Sequence, residues 1–351
     1  MRKVVHVVGT GTIGEPLIGL LVDHQEAFGI DEVTFHKRTP TVEERAKIAD
    51  LVRRGAVLAV EDDRRAEFEA LGLKPTLGGA EALARATVVI DSTPAGNKNK
   101  EQSYAALPGP RGFLAQGSEY GFGKMYARGI NDEALVAGED RFLHVVSCNT
   151  HNISVLVKAL AFEGAVSHLV DGRFVCMRRA NDISQDGSFS PSPTVGKHDN
   201  PRFGTHHARD AHGVFATLGH DLPLWSSAIV LNTQYMHVLQ FALTLDHDIT
   251  AEEAVGRLAA NSRVALTRKR SANQVFSFGR DHGYFGRILS QTVVPTQTIA
   301  VRDRRTVVGF CFTPQDGNAL LSSVAAALWY LYPGGFDDRI DVLRPYLFRE
   351  V

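Results

Sequence analysis

Residues 4–14 of the chain read VVHVVGTGTIG, and this stretch decides the fold of the first half of the protein. The run Lys3–Val8 predicts a β-strand, and the segment Glu15–His24 predicts a helix. Between them stands Gly9-Thr10-Gly11-Thr12-Ile13-Gly14, a G-x-G-x-x-G pattern in the strand-to-helix context that gives it meaning. The stretch therefore predicts the first unit of a dinucleotide-binding domain.

Each glycine of this pattern has its own physical reason. Gly9 permits a tight turn, Gly11 lets the backbone approach a pyrophosphate, and Gly14 lets helix and strand pack closely. The helix N-terminus supplies N–H donors for the phosphates, so Thr12 and Ile13 join the glycines as expected cofactor-binding residues. A glycine turn that holds no ligand is the alternative interpretation.

Strands and helices alternate through about the first 150 residues, which is typical of βαβ units around a parallel sheet. We therefore predict an α/β Rossmann domain. Helices are predicted at Val42–Arg54 and Arg64–Leu71, and the strands after the first at Glu32–His36, Val57–Val60, Thr87–Ile90, Gly112–Gln116 and Leu143–Ser147.

The alternation ends near residue 148, and the pattern beyond it predicts a mixed α+β catalytic domain. The divisions are a dinucleotide-binding domain, 1–147, a catalytic domain, 148–312, and a C-terminal helix, 313–351, that packs back on the first domain. The elements predicted here are strands at Arg173–Arg178, Ser227–Asn232 and Thr292–Val301, segments uncertain or helical at Val238–Leu245 and Ala251–Asn261, a long loop at Ser184–Thr205, and a helix at Asn318–Tyr332.

The length of 351 residues agrees with two domains at roughly 150 residues each. The 38 Lys and Arg residues balance 39 Asp and Glu residues, so the net charge of −1 offers no global field for nucleic acid or an anionic membrane. No run approaches the roughly 18 apolar residues of a membrane span, and the N-terminal apolar segment is too short for a signal peptide. We expect a cytoplasmic protein without nucleic-acid or membrane partners.

The end of the second predicted strand carries two cations, in the sequence His36-Lys37-Arg38. NAD-selective folds place Asp or Glu at this position, whereas cations favour a 2′-phosphate. We expect NADP as the cofactor, with NAD as a second candidate. A solvated strand end is the alternative for Lys37 and for Arg38.

Two later strand ends also carry residues suited to a cofactor. They are Asp91-Ser92-Thr93-Pro94-Ala95-Gly96 and Gln116-Gly117. Cofactors lie at the carboxyl edge of open α/β sheets. We therefore add Thr93, Pro94, Gly96, Gln116 and Gly117 to the expected cofactor site.

Cys148 is the best nucleophile candidate among the three cysteines. It follows the strand Leu143–Ser147 and precedes the apolar helical run Ile153–Leu160. A helix N-terminus stabilises a thiolate, which is the reactive form. Cys176 and Cys311 stand among apolar residues and are interpreted as core residues, and a buried cysteine is the alternative for Cys148 itself.

Several motifs occur in the order and approximate spacing found in archaeal-type glyceraldehyde-3-phosphate dehydrogenases. The chain resembles this family over roughly residues 3–330. The motifs are Val8–Gly14, Asp91–Gly96, Gln116-Gly117, Val146-Ser147-Cys148-Asn149-Thr150, Arg178-Arg179-Ala180, Thr205-His206-His207 and Met236-His237.

The resemblance implies a phosphorylating aldehyde dehydrogenase. Cys148 would attack the aldehyde, NAD(P) would accept the hydride, and inorganic phosphate would attack the resulting thioester. His237 looks like the general base, and Asn149 would help to hold the oxyanion. The residues expected to bind the substrate phosphate and inorganic phosphate are Thr150, His151, Arg178, Arg179, His206 and His207.

Adjacent residues of a strand point to opposite faces, so we expect only one of Arg178 and Arg179 to reach the site. The family further implies a homotetramer and a place in glycolysis or gluconeogenesis.

The sequence departs from the family beside the nucleophile, where His151 and Asn152 replace a Thr and a Gly, and at Ala208-Arg209. Another phosphorylated aldehyde, a semialdehyde, or a non-catalytic role in NADP binding are therefore alternatives to glyceraldehyde 3-phosphate. His206-His207-x-x-Asp210-x-His212 contains metal-ligand types, but an anion-binding loop explains the same residues. We assign no metal from the sequence.

Overall fold

The computed structural model describes residues 2–185, 187, 190–314 and 316–351. The chain divides into two compact units. The first unit comprises Met1–Lys124, Leu135–Val145 and Leu320–Val342. The second comprises Met125–Ala134, Val146–Ala319 and Leu343–Val351.

The described residues form strands of two to ten residues. They are β1 Val4–Val8, β2 Glu32–His36, β3 Val57–Val60, β4 Leu77–Gly78, β5 Val88–Asp91, β6 Gly112–Gly117, β7 Lys124–Tyr126, β8 Phe142–Val146, β9 Phe162–Glu163, β10 Val166–Ser167, β11 Leu169–Arg178, β12 Thr194–Val195, β13 Leu224–Val230, β14 Val238–Leu245, β15 Val264–Thr267, β16 Thr292–Pro295, β17 Ala300–Arg302 and β18 Thr306–Phe312.

The helices of the described residues are distributed between and after these strands. They are α1 Gly14–Asp23, α2 Gln25–Phe28, α3 Arg45–Arg53, α4 Arg65–Ala70, α5 Gly79–Arg85, α6 Gly96–Gln102, α7 Cys148–Ala161, α8 His206–Ala216, α9 Ala251–Ala260, α10 Ala272–His282, α11 Gly317–Leu331 and α12 Phe336–Ile340. None of the helices described is long and apolar enough to span a membrane.

The first unit is built on a sheet with the strand order β4-β3-β2-β1-β5-β6-β8-β7. The pairings from β4 through β6 are parallel. Parallel strands are apolar along their whole length because helices cover both faces, and Val5, Val7 and Ile90 are fully buried. The predicted Rossmann sheet is confirmed.

The second unit is built on a mixed sheet with the order β12-β13-β11-β14-β18-β16-β15, and β17 pairs with β18. β11 pairs with β13 in parallel and with β14 antiparallel. α7 packs on β11 and β14, and its Ile153 and Leu156 share one core with Phe174 and Phe241. The predicted mixed α+β domain is confirmed.

Three predictions in the second half were wrong in detail. Val238–Leu245 is a strand, β14, and not a helix, because its buried and half-buried residues alternate. Thr292–Val301 is not one strand but β16, a 3₁₀ turn and the start of β17. His206 and His207 begin helix α8 and do not lie in a loop. The loop predicted at Ser184–Thr205 contains the short strand β12, and its residues 186, 188 and 189 lie outside the described part.

Candidate active site

The glycine turn of the first unit is shaped to admit a ligand. Gly9 has φ of 94°, a left-handed conformation that favours glycine. A Cβ on Gly14 would overlap the carbonyl oxygen of Gly9, whereas a Cβ on Gly11 would meet nothing within 4 Å. The space beside Gly11 is the cradle that a pyrophosphate needs. Thr12 and Ile13 complete the turn into α1, and Ile13 is its N-cap.

A cavity of about 560 Å³ opens beside this turn. Its lining includes Gly9, His36, Arg38, Thr93 and Pro94. Residues from three predicted cofactor motifs therefore meet around one cavity within the first unit. This arrangement fits a dinucleotide.

Asp91 fixes the turn that carries Thr93 and Pro94. One carboxylate oxygen accepts hydrogen bonds from the backbone N–H and the hydroxyl of Thr93, at 2.9 and 2.6 Å. The other accepts from Asn99 at 2.7 Å and from the Tyr104 hydroxyl at 2.8 Å. The buried Asp91 therefore holds the loop, and the sequence analysis had not assigned it this part.

The two cations after β2 have different environments. Lys37 Nζ lies 3.2 Å from Glu44 Oε2, and Lys47 also pairs with Glu44. Arg38 is exposed and has no ion-pair partner among the described residues. Arg38 is thus the cation available at the cavity.

The remaining predicted cofactor residues serve the packing of the first unit. The Gln116 amide donates to the Ser323 hydroxyl at 2.7 Å, and the carbonyl oxygen of Gly117 lies 2.7 Å from His144 Nε2. A Cβ on Gly96 would lie 2.9 Å from the Cβ of Ala115. Their contacts are internal to the unit.

In the second unit, Cys148 is the first residue of α7. The hydroxyl of the N-cap residue Ser147 accepts from the backbone N–H of Thr150, and its oxygen lies 2.9 Å from the Thr150 hydroxyl. His151 Nδ1 lies 3.0 Å from the Ser147 carbonyl oxygen, and both Thr150 and His151 are buried. These two predicted anion-binding residues thus make local contacts at the start of the helix.

Opposing effects set the acidity of the Cys148 thiol. Burial raises its pKa to about 11, and the carboxylates of Asp316 and Asp182 contribute to the rise. The guanidinium groups of Arg179 and Arg178 lower it. The protonated thiol therefore predominates at neutral pH, and formation of the thiolate depends on the cations around it.

Thr313, which directly follows β18, joins the start of α7 to His237. Its hydroxyl donates to Asn149 Oδ1 at 3.1 Å and accepts from the Asn152 amide. Its backbone N–H donates to the His237 carbonyl oxygen at 2.9 Å. Asn318 adds a hydrogen bond of 3.0 Å to the Cys148 carbonyl oxygen. Sequence reasoning missed Thr313 because β18 was not predicted, and it placed Asn318 at the start of a helix without connecting it to Cys148.

His237 is held by the main chain of Arg179, whose N–H donates to its Nδ1 at 2.9 Å. Burial lowers the pKa of His237 well below its usual range, and the charges of Arg179 and Arg178 lower it further. His237 is therefore neutral. Because Nδ1 accepts a hydrogen bond, the ring proton lies on Nε2.

The two adjacent arginines differ as strand geometry predicts. Arg178 is exposed, whereas the Arg179 side chain is buried. Arg179 lies 2.6 Å from Asp182, 3.7 Å from Asp316 and donates to the Tyr235 carbonyl oxygen at 3.1 Å. Arg179 is therefore an internal ion-pair residue.

His206 and His207 lie in the first turn of α8, and their ring centroids are 3.9 Å apart. His207 is buried, and neither ring nitrogen has a hydrogen-bond partner among the described residues. Burial lowers the pKa of His207, as do the charges of His206, Arg178 and His237. Burial also raises the pKa of Asp210 to about 6. An unpartnered buried imidazole is costly, so it points to a ligand.

The chain is similar in sequence to glyceraldehyde-3-phosphate dehydrogenases from archaea. It is 27% identical to that of Metallosphaera sedula, over 85% of this chain and 84% of the relative. The identity is 26% to that of Hyperthermus butylicus, over 86% and 84%, and 27% to that of Thermococcus onnurineus, over 87% and 86%. No protein-family model matches the chain.

The Rossmann-type unit, the mixed-sheet unit and these relatives define an oxidoreductase with a nicotinamide dinucleotide cofactor. Within that class, the chain is a distant, diverged relative of the archaeal-type glyceraldehyde-3-phosphate dehydrogenases.

Gly11→Ala tests the cradle. We expect dinucleotide affinity to fall at least about tenfold, because the methyl group fills the pyrophosphate space. The unfolding temperature should stay unchanged, because the free protein has room for it. Gly14→Ala is the matched contrast and should destabilise the protein by about 1–3 kcal/mol through overpacking. Thermal unfolding and fluorescence titration measure both, and unchanged affinity in Gly11→Ala would contradict the assignment.

The pH dependence of Cys148 alkylation tests its environment. We expect the iodoacetamide rate in the cofactor-free protein to rise about tenfold per pH unit from neutral pH and to level off near a pKa of about 11. The buried Cys176 and Cys311 should stay unmodified in the native state, and peptide mass spectrometry distinguishes the three thiols. A plateau already reached at neutral pH would contradict this account.

Proposed function

We propose that the protein is a phosphorylating, NADP-dependent aldehyde dehydrogenase acting through a Cys148 thioester, with glyceraldehyde 3-phosphate as its first candidate substrate. One observation carries the proposal. Thr313 hydrogen-bonds both Asn149, the neighbour of Cys148, and the main chain of His237, whose ring accepts from the Arg179 N–H at 2.9 Å. The adjacent Arg178 is close enough for its charge to lower the pKa of Cys148, His206 and His207. A nucleophile, imidazoles and an exposed arginine therefore lie in one neighbourhood of the second unit.

The dinucleotide would be held by the glycine turn, the Thr93-Pro94 turn and Arg38, which line one cavity. When bound, the nicotinamide accepts the hydride that the aldehyde carbon loses. Arg38 supplies the charge for a 2′-phosphate, because Lys37 is paired with Glu44. Glu61 also lines the cavity. Its carboxylate contacts His36, whose Nε2 lies 3.1 Å away, and not Arg38.

The covalent steps use the residues at the start of α7. Cys148 Sγ forms a bond to the aldehyde carbon, the C=O π bond breaks, and the proton lost by the thiol is returned through solvent to the carbonyl oxygen, which gives a hemithioacetal. Asn149 and the Cys148 backbone N–H hold the oxygen as its charge develops. Loss of the hydride and the hydroxyl proton gives a thioester. A phosphate oxygen then bonds to the acyl carbon, the C–S bond breaks, and the thiolate is released with an acyl phosphate.

His237 would act through Nε2, which carries the proton of the neutral ring. The Nε2–H group would donate a hydrogen bond to the substrate oxygen while the sulfur attacks the carbonyl carbon. The general-base role expected from the sequence stays a prediction, and it requires that Nδ1 lose its bond from the Arg179 N–H.

The anion sites would be formed by Arg178 and by the pair His206 and His207. Arginine offers forked donors that match phosphate oxygens, and Arg178 is exposed. The unpartnered nitrogens of His207 supply a further donor. Arg179 would act indirectly by positioning His237, and the buried Thr150 and His151 by shaping the start of α7.

The larger organisation follows the same proposal. Residues 1–147 would bind the dinucleotide and residues 148–312 would carry the covalent chemistry. Of the C-terminal segment 313–351, the part Leu320–Val342, which belongs to the first unit, would support the first domain. A homotetramer in the cytoplasm is the corresponding expectation for its assembly and location.

Cys148→Ser tests the covalent mechanism. We expect phosphate-dependent reduction of NADP with glyceraldehyde 3-phosphate to fall at least about a thousandfold, because serine is the poorer nucleophile. Dinucleotide affinity and the unfolding temperature are the controls and should not change. Substantial remaining activity in the variant would contradict the role of Cys148. A wild-type protein that turns over only other aldehydes would redirect the substrate assignment toward the effect of His151 and Asn152.

Arg38→Ala and Lys37→Ala test the cofactor preference as a matched pair. Loss of a charge-assisted contact of about 1.5–3 kcal/mol should weaken NADP binding about 10- to 100-fold in Arg38→Ala. NAD binding should change little, and Lys37→Ala should affect NADP less because Lys37 is paired with Glu44. Equal losses for NADP and NAD in Arg38→Ala would contradict a 2′-phosphate contact.

A further inference from the structure

Two histidines and an aspartate meet at the surface of the second unit. His168 Nδ1 lies 3.1 Å from both carboxylate oxygens of Asp246. His247 Nδ1 lies 2.8 Å from Asp246 Oδ1. One ligand atom of each residue lies within 4.8 Å of those of the other two. The cluster unites residues 78 positions apart in the chain and was not anticipated from the sequence.

The sheet fixes the backbones of this cluster. His168 directly precedes β11, and Asp246 directly follows β14. Leu169 is paired with Leu245 in the register of these strands, and the Asp246 N–H donates to the His168 carbonyl oxygen at 3.0 Å. A main-chain hydrogen bond therefore joins His168 to Asp246, the residue that precedes His247.

The cluster lies at the opposite end of β11 from the residues proposed for catalysis. β11 has ten residues and spans about 30 Å, with His168 before its first residue and Arg178 as its last. The cluster is therefore separate from the cysteine site, and the inference does not rest on the proposed function.

The groups around the cluster favour a cation. Glu163 Oε2 lies 3.9 Å from His168 Nε2. Among the described residues the cation in contact with the cluster is Arg257, which is held by Glu163 at 2.7 Å and by the Leu160 carbonyl oxygen at 3.0 Å. Its guanidinium lies 3.4 Å from His247 Nε2, on the ring nitrogen away from Asp246. The two carboxylates outnumber this arginine, and both Nδ1 atoms face Asp246.

We propose that His168, Asp246 and His247 form a binding site for a divalent transition metal, with zinc as its probe. Two imidazoles and a carboxylate are a zinc ligand set, and tetrahedral coordination at about 2.0–2.2 Å brings ligand atoms to about 3.3 Å from one another. The hydrogen-bonded arrangement reaches this separation through small rotations of partly exposed side chains. The metal replaces the protons that the Nδ1 atoms donate to Asp246.

The chain contains a matched control in the His212–Asp221 pair. His212 Nε2 lies 2.7 Å from Asp221 Oδ1, and Arg202 contacts the same carboxylate. This second pair has the same imidazole, carboxylate and arginine chemistry. Within the described part of the chain, it lacks the third ligand residue that completes the His168–Asp246–His247 cluster.

Calorimetric titration of the metal-free, full-length protein with Zn²⁺ tests the site, with Cys148→Ser as the background so that the thiol does not contribute. We expect one site with a Kd on the order of 1 µM, and a higher unfolding temperature with saturating Zn²⁺. His168→Ala and His247→Ala should each weaken binding at least about tenfold, whereas His212→Ala should bind normally. His168→Gln and His247→Gln replace the alanine variants if those fail to fold.

Three results would overturn the proposal. They are no zinc binding at tens of micromolar metal, binding that survives in both the His168 and His247 variants, and equal loss of binding in His212→Ala. The visible spectrum of bound Co²⁺ provides an independent readout, because tetrahedral histidine ligation gives intense bands that disappear with either histidine.

Discussion

The antiparallel pairing of β11 with β14 is the constraint on which both sites of the second unit depend. Its register places Met177 beside Val238 at one end and Leu169 beside Leu245 at the other. The first pair brings the Arg178-Arg179 backbone next to His237. The second brings His168 next to Asp246. A slip of one residue would turn every side chain of the strand to the other face, so neither arrangement could survive it.

Burial and nearby charges have opposing effects on the pKa of the Cys148 thiol. Burial raises the pKa of the Cys148 thiol, the carboxylates of Asp316 and Asp182 add to the rise, and Arg179 and Arg178 oppose it. Burial lowers the pKa of His237, and the same two arginines lower it further. A cation that favours the Cys148 thiolate therefore also disfavours a His237 imidazolium. The arrangement does not stabilise a preformed thiolate–imidazolium pair in the free protein. The ion pairs of the buried Arg179 side chain with Asp182 and Asp316 hold this residue in place, and its backbone N–H sets the tautomer of His237.

Both local and long-range hydrogen bonds hold the start of α7 at Cys148. Ser147 and Thr150 cap α7 through bonds within one turn. Asn149 and Asn152, on the same turn, are instead tied to Thr313, more than 160 positions away in the chain. The departures at positions 151 and 152 from the family pattern are thus buried polar contacts. His151 bonds within the turn to the Ser147 carbonyl oxygen, whereas Asn152 bonds to Thr313, whose place beside α7 no local pattern indicated.

The sequence by itself determined most strands of the first sheet, the glycine turn and the position of a cysteine at a helix start, because each depends on local periodicity and on backbone conformations that few residues adopt. Strands β2 and β3 were predicted to the residue. Only the tertiary structure decided that Val238–Leu245 is a strand, since its Leu, Gln and Ala residues suit either structure until pairing with β11 and β18 selects one. It also left Arg178 and Arg38 exposed while Arg179 and Lys37 form ion pairs. It brought His168 and His247 together on the carboxylate of Asp246. Partners distant in sequence make those distinctions, and no local pattern encodes them.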